Sequence, residues 1–91
     1  MKTQDLFNVD NDMYGNPRVV VHFSCLLTEK ENNELSIDAA YNLAHKRALR
    51  LGGKIYRGKE FGGGFVFQCY YERQLVESIN NMLSKLEYLR L

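Results

Sequence analysis

Lys54-Ile55-Tyr56-Arg57-Gly58-Lys59-Glu60-Phe61-Gly62-Gly63-Gly64-Phe65-Val66-Phe67-Gln68-Cys69-Tyr70-Tyr71 is the stretch that decides the fold. Its flanks, Lys54 to Phe61 and Phe65 to Tyr71, are rich in Phe, Tyr, Val and Ile, residues that fill a pleated surface, and the three glycines between them permit a tight reversal. Two strands joined as a hairpin are therefore expected. On either side the hydrophobic period changes from two to between three and four. Upstream, Ser36 is a natural helix N-cap, and Ile37, Ala40, Tyr41, Ala44, Ala48 and Leu51 form an apolar stripe. Gly52-Gly53 supplies a left-handed stop, while His45, Lys46 and Arg50 fall toward the other side of that helix. Downstream, Glu72 to Leu91 places Leu75, Val76, Ile79, Met82, Leu83, Leu86 and Leu89 on one helical face.

Nearer the start, Arg18 to Leu27 alternates as a strand, with Val19, Val21, Phe23, Cys25 and Leu27 on one side. Asp10-Asn11-Asp12-Met13-Tyr14-Gly15-Asn16-Pro17 is dense in turn formers and reads as a loop, and Lys2 to Val9 supplies a further strand. Thr28 to Leu35 is charged and Asn-rich without a period, and is expected to be a surface connection. The order ββαββα follows: one α+β domain over residues 1–91, an antiparallel sheet with two helices packed on one face.

The 91 residues suffice for one core, and 45% hydrophobic with 25% charged residues is a globular composition, which argues against disorder. No apolar run has the length of a membrane span, and Met1-Lys2-Thr3-Gln4-Asp5 lacks the apolar stretch of a signal peptide, so no membrane partner and a cytoplasmic location are expected. Cys25 and Cys69 read as two reduced, buried thiols, a bridge being feasible only if their strands are neighbours. Net charge is +1, yet residues 1–45 carry −4 and residues 46–91 carry +5. The basic residues concentrate in Lys46, Arg47, Arg50, Lys54, Arg57 and Lys59, with no acid among them up to Lys59.

Little here resembles catalytic machinery. The Asp10 to Gly15 run has the opening of a calcium loop but places Tyr14 at the fifth position and Val21 where a bidentate glutamate belongs. His22, His45, Cys25 and Cys69 lack the close pairs of structural zinc sites, and neither thiol sits in a nucleophile's signature context. No metal, no cofactor and no enzymatic activity are expected. The basic segment is the clearest candidate for binding: Lys46, Arg47, Arg50, Lys54, Arg57 and Lys59, with Tyr56 as a stacking ring and Gly62, Gly63 and Gly64 as a tip that an anion can approach. Against it, cations are ordinary at a helix C-terminus, and a triple glycine followed by strand residues is ordinary at a hairpin tip. The last helix offers Leu75, Ile79, Met82, Leu86 and Leu89 at coiled-coil spacing, which suits packing on the sheet more readily than a dimer seam that Tyr88 and Leu91 would extend.

Two strings carry a resemblance: residues 11–23, containing Tyr14-Gly15-Asn16-Pro17-Arg18-Val19-Val20-Val21-His22-Phe23, and residues 52–70, containing Gly52-Gly53-Lys54-Ile55-Tyr56-Arg57-Gly58-Lys59 and the glycine tip. Together they cover about a third of the chain and resemble small uncharacterised accessory proteins carried by phages and plasmids. The resemblance implies stoichiometric binding, for example blocking a host defence complex, sponging a signalling nucleotide or modulating DNA handling. Three expectations follow: an inhibitor or adaptor docking on a host protein complex, a binder of nucleic acid or a nucleotide through residues 46–59, and a structural homodimer through the last helix. The chain is thus expected as a monomer or a homodimer.

Overall fold

Branched side chains at Val19, Val20 and Val21 favour extended backbone, and a strand in the middle of a sheet needs partners on both edges. A computed structural model, which describes residues 7–68 and 71–89, shows both. Along the chain the elements are β1 (Phe7–Asn11), β2 (Pro17–His22), α1 (Glu29–Glu34), α2 (Ile37–Arg50), β3 (Lys54–Arg57), β4 (Gly64–Gln68) and α3 (Glu72–Leu89), with 3-10 turns at Phe23–Leu26 and Lys59–Phe61. The four strands form one antiparallel sheet in the order β1-β2-β4-β3. The fold is the expected α+β arrangement, with the principal helices α2 and α3 on one face. Of the first expected strand, residues 2–6 lie outside the described residues.

Register decides which side chains meet the helices. Phe7 pairs with Val21, Val19 with Phe67 and Val21 with Phe65, so these five point to one side and are buried. Against them pack Ala40, Tyr41, Ala44 and Ala48 of α2 and Leu75, Val76 and Ile79 of α3. The Tyr41 ring stacks on Phe65 at 5.4 Å, and His45 stacks on the same ring at 5.7 Å, so His45 joins the packed side of α2 rather than the outward side assigned by its period. Ile37 departs in the other direction and is exposed. Gly53 is where α2 hands over to β3, and a β-carbon there would lie 2.5 Å from the Phe67 ring. Only glycine lets the chain pass that close.

The strand expected over Lys54 to Phe61 ends at Arg57 and passes into the 3-10 turn Lys59–Phe61, and two other segments depart further from expectation. The strand expected over Arg18 to Leu27 ends at His22, because the His22 ring accepts from the Ser24 amide and turns the chain into the 3-10 segment, while the Phe23 amide donates to the Gly63 carbonyl. Cys25, Leu26 and Leu27 are then all buried, which a two-residue alternation cannot achieve. Cys69 lies outside the described residues, and with it the question of a bridge to Cys25; burial pushes the Cys25 thiol up to about 12. The second failure is Thr28 to Leu35, which is a helix. Thr28 and Glu31 form a capping box, the Glu31 amide donating to Thr28 Oγ1 at 3.2 Å and the Thr28 amide to Glu31 Oε1 at 2.8 Å.

That box has a second duty. Arg47 of α2 reaches it with Nη1 at 2.6 Å from Glu31 Oε1 and Nη2 at 2.8 Å from Oε2, and Nη1 also donates to the Leu26 carbonyl at 2.9 Å. Both residues are buried, at 8% exposure for Arg47 and 3% for Glu31. A two-pronged guanidinium–carboxylate pair with this many satisfied donors offsets much of its desolvation cost, whereas either member alone would be a stranded charge.

Arg47→Ala is therefore expected to lower the unfolding free energy by about 3–5 kcal/mol in urea titrations. The Arg47 guanidinium holds the Glu31 carboxyl down at about 2, against an ordinary 4.5. A depressed carboxylate stabilises the fold fully above its unfolded value and loses that contribution as pH falls toward the folded one. Stability should accordingly fall between about pH 4.5 and 2, and Glu31→Gln should flatten the curve in that window. A variant curve as steep as wild type would remove Glu31 as the cause.

Candidate functional site

Since the helices cover one face of the sheet, the alternate residues of every strand form a second face, open among the described residues. Asp10 pairs with Arg18, Arg18 with Gln68, Val20 with Val66 and Lys54 with Val66 across it. A register irregularity between Ile55 and Arg57 breaks the alternation of β3. As a result Tyr56 and Arg57, neighbours in sequence, both lie on the open face: the Arg18 guanidinium sits over the Tyr56 ring at 4.9 Å from its centre and that of Arg57 at 5.3 Å, while the Arg57 β-carbon lies beside Gly64 together with Val20.

The two arginines differ in what else they touch. Arg18 is held by Asp10, with Nε at 2.5 Å from Oδ1 and Nη2 at 3.2 Å from Oδ2. Arg57 has no ion pair among the described residues. It borders a hollow of about 300 Å³ lined also by Asn8, Val20, His22, Phe61 and the glycine tip. Phe61 is 74% exposed at the rim.

The tip is rigidly built. Gly62 and Gly63 have φ of 96° and 68°, left-handed values in succession, and their amides donate to the carbonyls of Lys59 and Gly58. A β-carbon on Gly63 would lie 2.6 Å from the Phe23 ring. Because the amides of Gly62 and Gly63 are engaged, they do not form a cradle for an anion; the tip serves instead to place Phe61 and to leave room beside Arg57. At the wall, His22 Nδ1 faces the Ser24 amide at 3.2 Å and the Ser24 hydroxyl at 2.6 Å, so Nδ1 accepts and the ring proton sits on Nε2. Burial lowers the His22 pKa, opposed by a bond to the Gly62 backbone.

The six cations grouped in the sequence do not lie in one patch. Lys54 and Arg57 are on the open face with Tyr56. Lys59 pairs with Asp38 at the start of α2. Lys46 and Arg50 are exposed on α2, in the layer on the far side of the sheet. Arg47 is withdrawn altogether, buried on Glu31 as described above. Conversely, Arg18, Asn8 and His22 join the site although nothing local in the sequence assigned them there; antiparallel pairing across three strands brings them to it. The turn residues have structural tasks too, since Asp12 Oδ1 accepts from the Tyr14 and Asn16 amides, each at 2.9 Å, and Oδ2 accepts from Gln68 at 2.9 Å.

A family model described as Staphylococcus phage terminal repeat-encoded protein TreK matches residues 1–90. The chain belongs to this phage protein family. Curated proteins and solved structures give no match. The phage half of the earlier resemblance is thus shown. Among the described residues no helix is long and apolar enough to cross a membrane.

The His22 geometry has a measurable consequence. In a nuclear magnetic resonance titration its imidazole should be neutral with the proton on Nε2 and should titrate below the ordinary 6.5. Because the unfolded chain then binds the proton more readily, the contribution of His22 to stability is complete above that value and declines on acidification below it. A midpoint above 6.5 would contradict the downward shift that partial desolvation of the ring produces at the wall of the hollow.

Proposed function

We propose that this phage-encoded chain is a non-catalytic accessory protein that acts by stoichiometric binding, docking on a host protein through the open face of the sheet at the β3–β4 tip. A component of a host defence complex is the class of target that suits such a protein. The observation that carries the reading is the asymmetry of the sheet. One face is consumed by α2 and α3, whereas the other presents Tyr56 beneath two guanidiniums, the exposed Phe61 and the hollow next to Arg57. Rings and arginines held in place by a rigid scaffold are the groups that dominate protein interfaces.

The two other readings have less support. A dedicated nucleic-acid groove needs several cations along one track, but Lys46 and Arg50 are on the far layer, Arg47 is buried, and Arg18 and Lys59 are paired with acids. A homodimer through α3 would need its apolar stripe outside, whereas Leu75, Val76 and Ile79 are buried in the core.

The test is affinity capture from staphylococcal lysate with the wild-type chain and with Lys54→Glu/Arg57→Glu, both on exposed positions. A captured host protein that the charge-reversed variant loses supports the surface. Capture retained in full by that variant removes the open face as the contact. In parallel, fluorescence polarisation with single-stranded DNA, duplex DNA and RNA should show no binding at physiological salt; binding that persists there would replace the proposal with nucleic-acid recognition.

A further inference from the structure

The chemistry of the hollow narrows what docks there. The Arg57 guanidinium carbon lies 5.3 Å from the centre of the Tyr56 ring and has no acid partner among the described residues, and a guanidinium matches a carboxylate with two parallel hydrogen bonds. Across the hollow stands Asn8, exposed and on the same face as Val20, with a side-chain amide able to donate as well. Val20 forms an apolar floor and Phe61 an apolar rim, on which the methylenes of an acidic side chain and a neighbouring apolar residue can rest. A volume of about 300 Å³ is at the small end of ligand sites and suits one or two side chains.

The distribution of charge argues for one anionic group rather than many. Lys54 and Arg57 are the cations of the open face without an acid partner among the described residues. Toward the β1–β2 turn the face carries Asp10, neutralised by Arg18, and Asp12, whose carboxylate is bound by neutral donors and keeps its charge. A polyanion laid along the sheet would gain two cations and then meet Asp12. A single carboxylate gains Arg57 and stops short of it.

We infer that the Arg57 hollow receives the carboxylate of an acidic side chain on the partner protein, with an adjoining apolar residue of that partner resting on Phe61. This rests on the protein-docking function proposed above. Tyr56 positions the guanidinium, Asn8 donates a further hydrogen bond, and the glycine tip fixes the distance between the charge and the ring. The partner's segment is acidic and apolar in adjacent positions, a charge pattern opposite to that of the site.

The experiment is a nuclear magnetic resonance titration of the full chain with two peptides, acetyl-Leu-Glu-Leu-amide and acetyl-Leu-Gln-Leu-amide, and with adenosine monophosphate. The glutamyl peptide should move the Arg57 Nε–H, the Asn8 side-chain amide and the Gly62 to Gly64 amides saturably at millimolar concentration, with the glutaminyl peptide about tenfold weaker. Arg57→Gln should erase that difference, and Phe61→Ala should weaken both peptides alike. Arg50→Gln, on α2, should change neither. Equal response to the two peptides, no response to either, or tighter binding of adenosine monophosphate at these resonances overturns the inference. Capture of a host protein without any peptide response at Arg57 sinks the hollow but spares the docking function. Peptide binding without capture does the reverse.

Discussion

The buried ion pair between Arg47 and Glu31 is the constraint on which the rest of the structure depends. One carboxylate closes the cap of α1, and the guanidinium that neutralises it also binds the carbonyl of Leu26. Three consecutive segments, the 3-10 turn after β2, the short α1 and the long α2, are thereby locked together. A six-residue helix has too few hydrogen bonds to persist by itself, so α1 exists because this tertiary contact holds it. With that corner fixed, α2 lies at a set angle on the sheet, Tyr41 and His45 stack on Phe65, and β4 is held in the position that leaves its opposite face open.

The hairpin tip is supported from both layers. Lys59 is tied to Asp38 on α2, and the Gly63 carbonyl accepts from Phe23 at the end of β2. Phe61 therefore stands exposed on a tip whose backbone has little freedom, and an ordered ring loses less entropy on binding than one on a loose loop. The site's electrostatics follow the same logic: Arg18 is paired with Asp10, while Arg57 lines the hollow without an acid partner among the described residues.

Much of this was legible from residue patterns, and the failures have physical causes. The valines of β2 and the cap at Ser36 announced their elements because propensity and burial agree there. The apolar stripe of α3 did so for the same reason. The short α1 was hidden because six polar residues show no period; its one local mark was the spacing of Thr28 and Glu31. Arg47 was grouped with solvated cations by charge alone, although it continues the buried spacing of Ala40, Ala44 and Leu51, which marked it as inward. The open-face site was half visible: Tyr56, Arg57 and Lys54 were named by composition, whereas Arg18, Asn8 and His22 arrive through strand pairing, a long-range property that no local window contains.

The irregularity in β3 ties the site to chain length as well as to composition. A strand that alternates strictly would send Tyr56 and Arg57 to opposite sides of the sheet, and it is the extra residue that lets ring and guanidinium share one. Relatives that change the identity of either residue would retune the surface, but a relative one residue shorter between Lys54 and Gly58 would turn half of it toward the helices. Gaps in that segment, rather than substitutions, would thus mark members of the family that have given up this surface.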